Sequence, residues 1–211
     1  MRKNKIKSLV GVFLIIFFFI IASYIAQNYV KELQEYIGAG FVGMILYIDI
    51  LVIATVIAPL NAVPLLPVAS VLWGWFFAGL LSIAGWTLGA LIAFSLARRY
   101  GAPLVRKFSS LEQIEKYEKL IPKENIFLSI VFLRIAVPVD ILSYLLGLFS
   151  HIPLSTYLIA TLIGISPFAF IFAYVGTLPL YYQIIAFVTA IIIILIGHFI
   201  GRNIKNGAKN N

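Results

Sequence analysis

The stretch FLRIAVPVDILSYLLG, residues 132–147, holds a cation, Arg134, and an anion, Asp140, in a run that is otherwise apolar. A guanidinium is a planar fork of donors that matches phosphate oxygens. Carrying one into a bilayer costs about 2.5–3.5 kcal/mol on insertion scales. Arg134 is therefore either a phosphate anchor or half of an ion pair with Asp140 that fastens its own segment. A pair that opens for a lipid phosphate would use the same residues for both. Asp140 is also the candidate for carrying a proton, because burial and a neighbouring guanidinium act on a carboxyl in opposite senses. Ser143 and Tyr144 follow, placed to hydrogen-bond a headgroup, although a tyrosine packs equally well at an interface. Earlier in the chain, Asn61 lies within APLNAVPLLP (58–67) and Ser70 just after it. They either line the same cavity or cap carbonyls that Pro59, Pro64 and Pro67 leave free.

These residues sit in a chain that is 62% hydrophobic and 11% charged, outside the range of soluble domains. From Ala39 to Ala97 the only charged residue is Asp49, in a run long enough for several membrane passes. The chain reads as an all-α integral membrane protein. With no cysteine it has neither a disulfide framework nor a thiolate metal site. The net charge of +8 comes from short basic clusters at the ends of apolar runs, which is an orientation signal and argues against nucleic acid as a partner. His151 and His198 fit interfacial positions and lack metal co-ligands. No metal or cofactor is expected. Asp49 fits a buried polar contact as well as a transport role.

The clusters at Arg2/Lys3/Lys5/Lys7, Arg98/Arg99/Arg106/Lys107 and Arg202/Lys205/Lys209 all belong in the cytoplasm by the positive-inside rule. An even number of crossings must separate each pair, yet three apolar runs (125–149, 152–176 and 184–200) lie between the second and third. The run 125–149 contains Pro138, whose ring removes a backbone donor, and carries both charges. It reads as a re-entrant hairpin with arms of roughly 17 Å at 1.5 Å per residue. Irregular backbone at that depth needs protein or water around it, so a polar cavity is implied. The same parity makes 39–75 a second hairpin, entering from outside, and 76–97 the span back in; three separate spans is the competing reading. Pro59, Pro64, Pro67, Pro138 and Gly147 are the expected hairpin breakers.

The domain layout that follows has three parts. Residues 1–30 form a basic cytoplasmic N-terminus and an uncleaved first span. Residues 31–180 hold the two hairpins with spans 76–97 and 152–176, and residues 181–211 form a last span and basic tail. Each hairpin follows an amphipathic piece, KELQEYI (31–37) or SSLEQIEKYEKLI (109–121). In the second, Ser109 and Glu112 fit a capping box. The unit of amphipathic helix, hairpin and span thus occurs twice with opposite orientation, an inverted repeat of the kind transporters use. The N- and C-terminal spans flank it. Gly85, Gly89 and Ala93 recur at four-residue spacing, a small ridge that seats the span against a hairpin or a partner subunit, a homodimer among the options. Gly164, with Pro167, bends the span beside the cavity.

VPLLPVASVLWGW (63–75), GALIAFSLARRYG (89–101), RIAVPVDILSYLLGLFSHIPLSTYL (134–158) and GISPFAFIFAYVG (164–176) resemble the VTT-domain, or SNARE-associated, branch of the DedA superfamily. The resemblance covers roughly residues 30–180. It implies two opposed re-entrant hairpins and movement of phospholipids or polyprenyl-phosphate carriers between leaflets. It matches Arg134 to the family's hairpin arginine, Pro138, Asp140, Ser143, Tyr144 and Gly147 to the second hairpin motif, and Pro64, Pro67 and Ser70 to the first. Where DedA proper carries acidic residues near the first hairpin, this chain has Ile57 and Ala69, which cannot titrate. DedA-type proton coupling is thereby put in doubt.

The function expected is a flippase- or scramblase-type lipid transporter, in the cell membrane with both termini cytoplasmic, whose partners are phosphate-bearing lipids. The alternatives are a proton- or ion-coupled transporter of a small solute and a structural membrane-assembly protein. No HExxH, GxSxG or usable acid–base pair points to an enzyme.

Overall fold

The computed structural model describes residues 2–38, 40–57, 62–101, 125–136, 139–150 and 152–207, and among these the chain is helical without strands. Within a bilayer a helix satisfies its own backbone polar groups, which is why so apolar a chain takes this form. The helices are α1 (Arg2–Asn28), α2 (Val30–Tyr36), α3 (Phe41–Val56), α4 (Leu66–Leu96), α5 (Ile126–Ala136), α6 (Val139–Phe149), α7 (Leu154–Thr177) and α8 (Leu180–Gly207). A tight 3-10 turn, Val63–Leu65, leads into α4, and a wider π turn, Ala97–Gly101, closes it. Two helical stretches, Val63–Gly101 and Leu154–Thr177, are long and apolar enough to cross a bilayer among the described residues. They become three if α1 and α2, bent by 90° to each other, count as one span.

Local chemistry sets the breaks. The turn after α2 has Gly38 at φ 77°, a left-handed conformation that costs glycine nothing. Pro67 lies in the first turn of α4, where its missing N–H is not needed, and Pro64 lies in the preceding 3-10 turn. These two prolines therefore begin a helix. Pro167 is carried inside α7.

The sequence places the end of one unit at 75 and the start of a span at 76. The structure breaks the helical run Leu66–Leu96 beside that boundary, where Gly74 leaves the helical conformation at φ 79°, ψ 154°. A Cβ at Gly74 would meet nothing within 4 Å, so the backbone conformation, not crowding, asks for glycine there. Gly147 is a correction: expected among the hairpin breakers, it lies inside α6. A Cβ there would come 2.4 Å from the Phe94 carbonyl oxygen and 2.8 Å from Ala97 Cβ. Its absence lets α6 sit on the backbone of α4. Pro59, Asn61, Pro138, His151 and the amphipathic piece 109–121 lie outside the described residues.

α4 is the centre of the bundle. It packs along α3, α6 and α7, while α5 packs on α7. Gly85 abuts Leu51 and Gly89 abuts Thr55 of α3, where a Cβ would stand 2.7 Å and 2.6 Å from the neighbouring Cβ atoms. Small residues thus bring α3 and α4 together, as they do where solvent gives no hydrophobic drive. Two apolar clusters result. One gathers Phe19, Tyr47, Leu51, Leu66, Trp86 and Ile165. The other gathers Ala90, Phe94, Ile130, Leu142, Leu146 and Tyr157, and its Tyr157 touches Arg134.

Candidate functional site

Arg134 stands in the last turn of α5 and is 3% exposed. Its Nη1 donates to Ser143 Oγ of α6 at 3.2 Å, and Nη2 to the same oxygen at 3.3 Å. Nη2 also donates to the Tyr157 hydroxyl at 2.6 Å and to Thr161 Oγ1 at 2.9 Å, both on α7. The Tyr157 hydroxyl reaches Ser143 Oγ at 2.8 Å and the Ala90 carbonyl of α4 at 3.1 Å. Its single proton serves one of them at a time. Four helices thus meet around one guanidinium and three hydroxyls. Ser143, Tyr157 and Thr161 are each fully buried.

The α7 side of this cradle follows from helical spacing. Tyr157, Thr161 and Gly164 stand at i, i+4 and i+7, one face of a helix. The tyrosine and threonine supply hydroxyls, and the glycine makes room. A Cβ on Gly164 would lie 2.8 Å from Arg134 Cβ and 3.0 Å from Cγ, so the arginine's stem occupies the space a side chain would take. The Tyr157 ring stacks on Phe94 of α4, with centroids 4.0 Å apart and an interplanar angle of 15°, which fixes where its hydroxyl points.

Of the residues singled out from sequence, the structure brings Arg134, Ser143 and Gly164 together. Asp140 belongs to α6 by its backbone; its side chain lies outside the described residues. Tyr144 turns another way, its hydroxyl donating to the Val56 carbonyl at 2.5 Å, at the C-terminal end of α3. Ser70 is buried in α4 with no hydrogen-bond partner for its hydroxyl among the described residues. It stands beside Leu66 and Ala69 of the first apolar cluster, apart from Arg134. Ala93 is buried on α4. Asp49 is exposed on α3, where a buried contact or a transport role was expected. Tyr157, Thr161 and Ala90 were missed. The signal that could have found the first two was present: two hydroxyl residues and a glycine on one face of an apolar helix.

An anion presented to this cradle would find a guanidinium and three hydroxyls that can rotate to donate. Hydrogen bonds from a charged donor to an oxyanion are about twice as strong as neutral ones. The class of protein is therefore a helical membrane protein with a buried, hydroxyl-lined arginine at the meeting point of four helices. The family model of the VTT domain matches residues 60–178, and the chain belongs to that family, the DedA/SNARE-associated family of membrane proteins. No curated protein and no solved structure matches the chain.

Proposed function

We propose that the protein moves a phosphate-bearing lipid, a phospholipid or a polyprenyl phosphate, between the leaflets of a membrane, the phosphate being met by Arg134. The observation that carries this reading is the burial of Arg134 among Ser143, Tyr157 and Thr161. A guanidinium this deep needs oxygens, and a phosphate offers the same fork two charged ones. In this reading the protein binds and releases its lipid without making or breaking bonds.

The transport path we propose lies between two re-entrant hairpins. α5 and α6 have 11 residues each, about 17 Å of helix, against a hydrocarbon core of about 30 Å. α3 has 16 residues, about 24 Å, and the part of α4 before Gly74 is shorter still. The hydrogen bond from Tyr144 to Val56 supports contact between the inner ends of the two hairpins. On this reading α3 with the start of α4, and α5 with α6, are the inverted halves. The long part of α4 and α7 are their spans, the protein is multi-pass, and both termini are cytoplasmic.

The test is leaflet exchange of a labelled phospholipid in vesicles containing the purified protein. Arg134→Gln should slow exchange by about tenfold or more, since a charged hydrogen bond carries about 1.5–3 kcal/mol and 1.36 kcal/mol is tenfold in rate. Arg134→Lys, which keeps charge but loses the fork, should fall between. Exchange no faster than in protein-free vesicles, or an unchanged rate in Arg134→Gln, overturns the proposal.

A further inference from the structure

A second guanidinium is linked to the first through aromatic rings. Arg98, in the turn that closes α4, donates from Nη1 to the Ile152 carbonyl and from Nη2 to the Ser150 carbonyl, each at 2.8 Å. Its Cζ lies 4.3 Å from the centroid of the Phe94 ring, and Phe94 stacks on Tyr157 at 4.0 Å. Tyr157 in turn accepts from Arg134. The two cations are thus joined through two stacked rings. Ala90, whose carbonyl the Tyr157 hydroxyl reaches, precedes Arg98 by two turns of helix, about 12 Å. From the Gly74 kink to Arg98, α4 and its closing turn run about 36 Å, longer than a hydrocarbon core of about 30 Å. On the proposed topology Arg98 lies at headgroup depth, with Arg134 below it.

The seam between them is shut. Gly147 of α6 rests against the Phe94 carbonyl, and Gly101 would meet Leu148 if it carried a Cβ. Among the described residues α6 lies directly on α4 there, so opening the seam takes a movement of α6 off α4. Arg98 holds that end of α6: its two carbonyl partners belong to the corner between α6 and α7, and a cation at the end of a helix also favours the helix dipole. Those partners are neutral, whereas a phosphate offers the same fork two charged oxygens.

We infer that Arg98 is an outer anion-binding residue and a latch: a phosphate group at the mouth draws its guanidinium off the Ser150 and Ile152 carbonyls, freeing the α6–α7 corner and opening the seam toward Arg134. This rests on the proposed role of Arg134 only for the destination of the phosphate. Release of the corner is measurable without any transport.

The chain has no cysteine, so Ser150→Cys places a single thiol in the buried corner. Its rate of labelling by a membrane-impermeant maleimide, applied to both sides of the vesicle, reports the latch. Rates are divided by those of Tyr100→Cys, an exposed position at the same end, which removes the effect of surface charge on thiol reactivity. In vesicles of digalactosyldiacylglycerol, a lipid without phosphate, the ratio should be low, and phosphatidylglycerol should raise it about tenfold, equivalent to 1.4 kcal/mol. A third arm adds inorganic phosphate to the phosphate-free vesicles. A rise there as well assigns the trigger to any phosphate, and a rise with phosphatidylglycerol alone assigns it to the lipid. Adding Arg98→Gln should give the high ratio in every condition. An equal ratio in all three conditions for Ser150→Cys alone overturns the latch, whatever the transport assay shows. So does an Arg98→Gln protein that labels slowly and still responds.

Discussion

Replacing Gly164 by alanine tests the central contact of the site with one methyl group. The new Cβ would stand 2.8 Å from Arg134 Cβ, 3.0 Å from its Cγ and 3.2 Å from the Val131 carbonyl oxygen. Ordinary contact begins at 3.4 Å, so 3.4 − 2.8 = 0.6 Å must be found. Arg134 Cβ is fixed to its backbone and cannot rotate clear, which leaves α5 to move away from α7. That movement stretches the 2.9 Å bond from Arg134 to Thr161 to about 3.5 Å, beyond good hydrogen-bond length. Overpacking of this kind costs about 1–3 kcal/mol. Alanine returns up to about 1 kcal/mol over glycine within a helix. The weakened bond to a charged donor adds to the loss, since such bonds carry about 1.5–3 kcal/mol. The expected net destabilisation is about 2 kcal/mol. Gly11→Ala on α1, where a Cβ meets nothing within 4 Å, is the control and should match or exceed the parent protein. The assay is thermal unfolding in detergent, followed by tryptophan fluorescence. A Gly164→Ala protein that melts with Gly11→Ala would refute the argument that glycine is there to admit the arginine stem.

Two further perturbations read other buried polar groups. Ser70 is 3% exposed and its hydroxyl has no partner among the described residues. Ser70→Ala should therefore stabilise the protein in the same melting assay, by about 1 kcal/mol, because an unsatisfied buried hydroxyl carries a penalty of about 1–3 kcal/mol. A loss of stability would mean that the hydroxyl has a use. At the far end of α7, Gln27 and Gln183 both donate to the Leu178 carbonyl, at 2.9 Å and 2.7 Å, and both reach Ser23 Oγ. Either amide can serve these oxygens alone. Gln27→Leu and Gln183→Leu should each cost about 1 kcal/mol or less, and the double variant more than their sum. Strict additivity would show that the two amides act independently.

How much of this was legible beforehand differs from residue to residue. Arg134 is conspicuous because a charge in an apolar run is expensive, so its importance shows without coordinates. Ser143, nine positions later, was found because it shares that short segment. Tyr157 and Thr161 were not, since a hydroxyl residue in an apolar helix is inexpensive and common, and nothing in linear order joins α7 to α5. Ser70 shows the opposite failure. Its polarity and its place after three prolines drew attention, yet it is buried apart from the arginine with its hydroxyl unpartnered among the described residues. Gly147 is expected to be a breaker from the hairpin motif that it matches in the family resemblance. Within α6 the ladder of backbone hydrogen bonds carries it, and contact with α4 repays the substitution.

The residue order alone established that this is a helical membrane protein, and it singled out one buried guanidinium as the group that had to be accommodated. Both follow from transfer free energies, which depend on composition along the chain and not on the fold. Which hydroxyls surround that guanidinium, which glycines let the helices close on it, and that Arg98 holds the neighbouring corner were decided only by tertiary structure. Hydropathy cannot separate a face turned to lipid from one turned to another helix, because both are apolar. Helical periodicity assigns residues to a face without saying which helix will meet it.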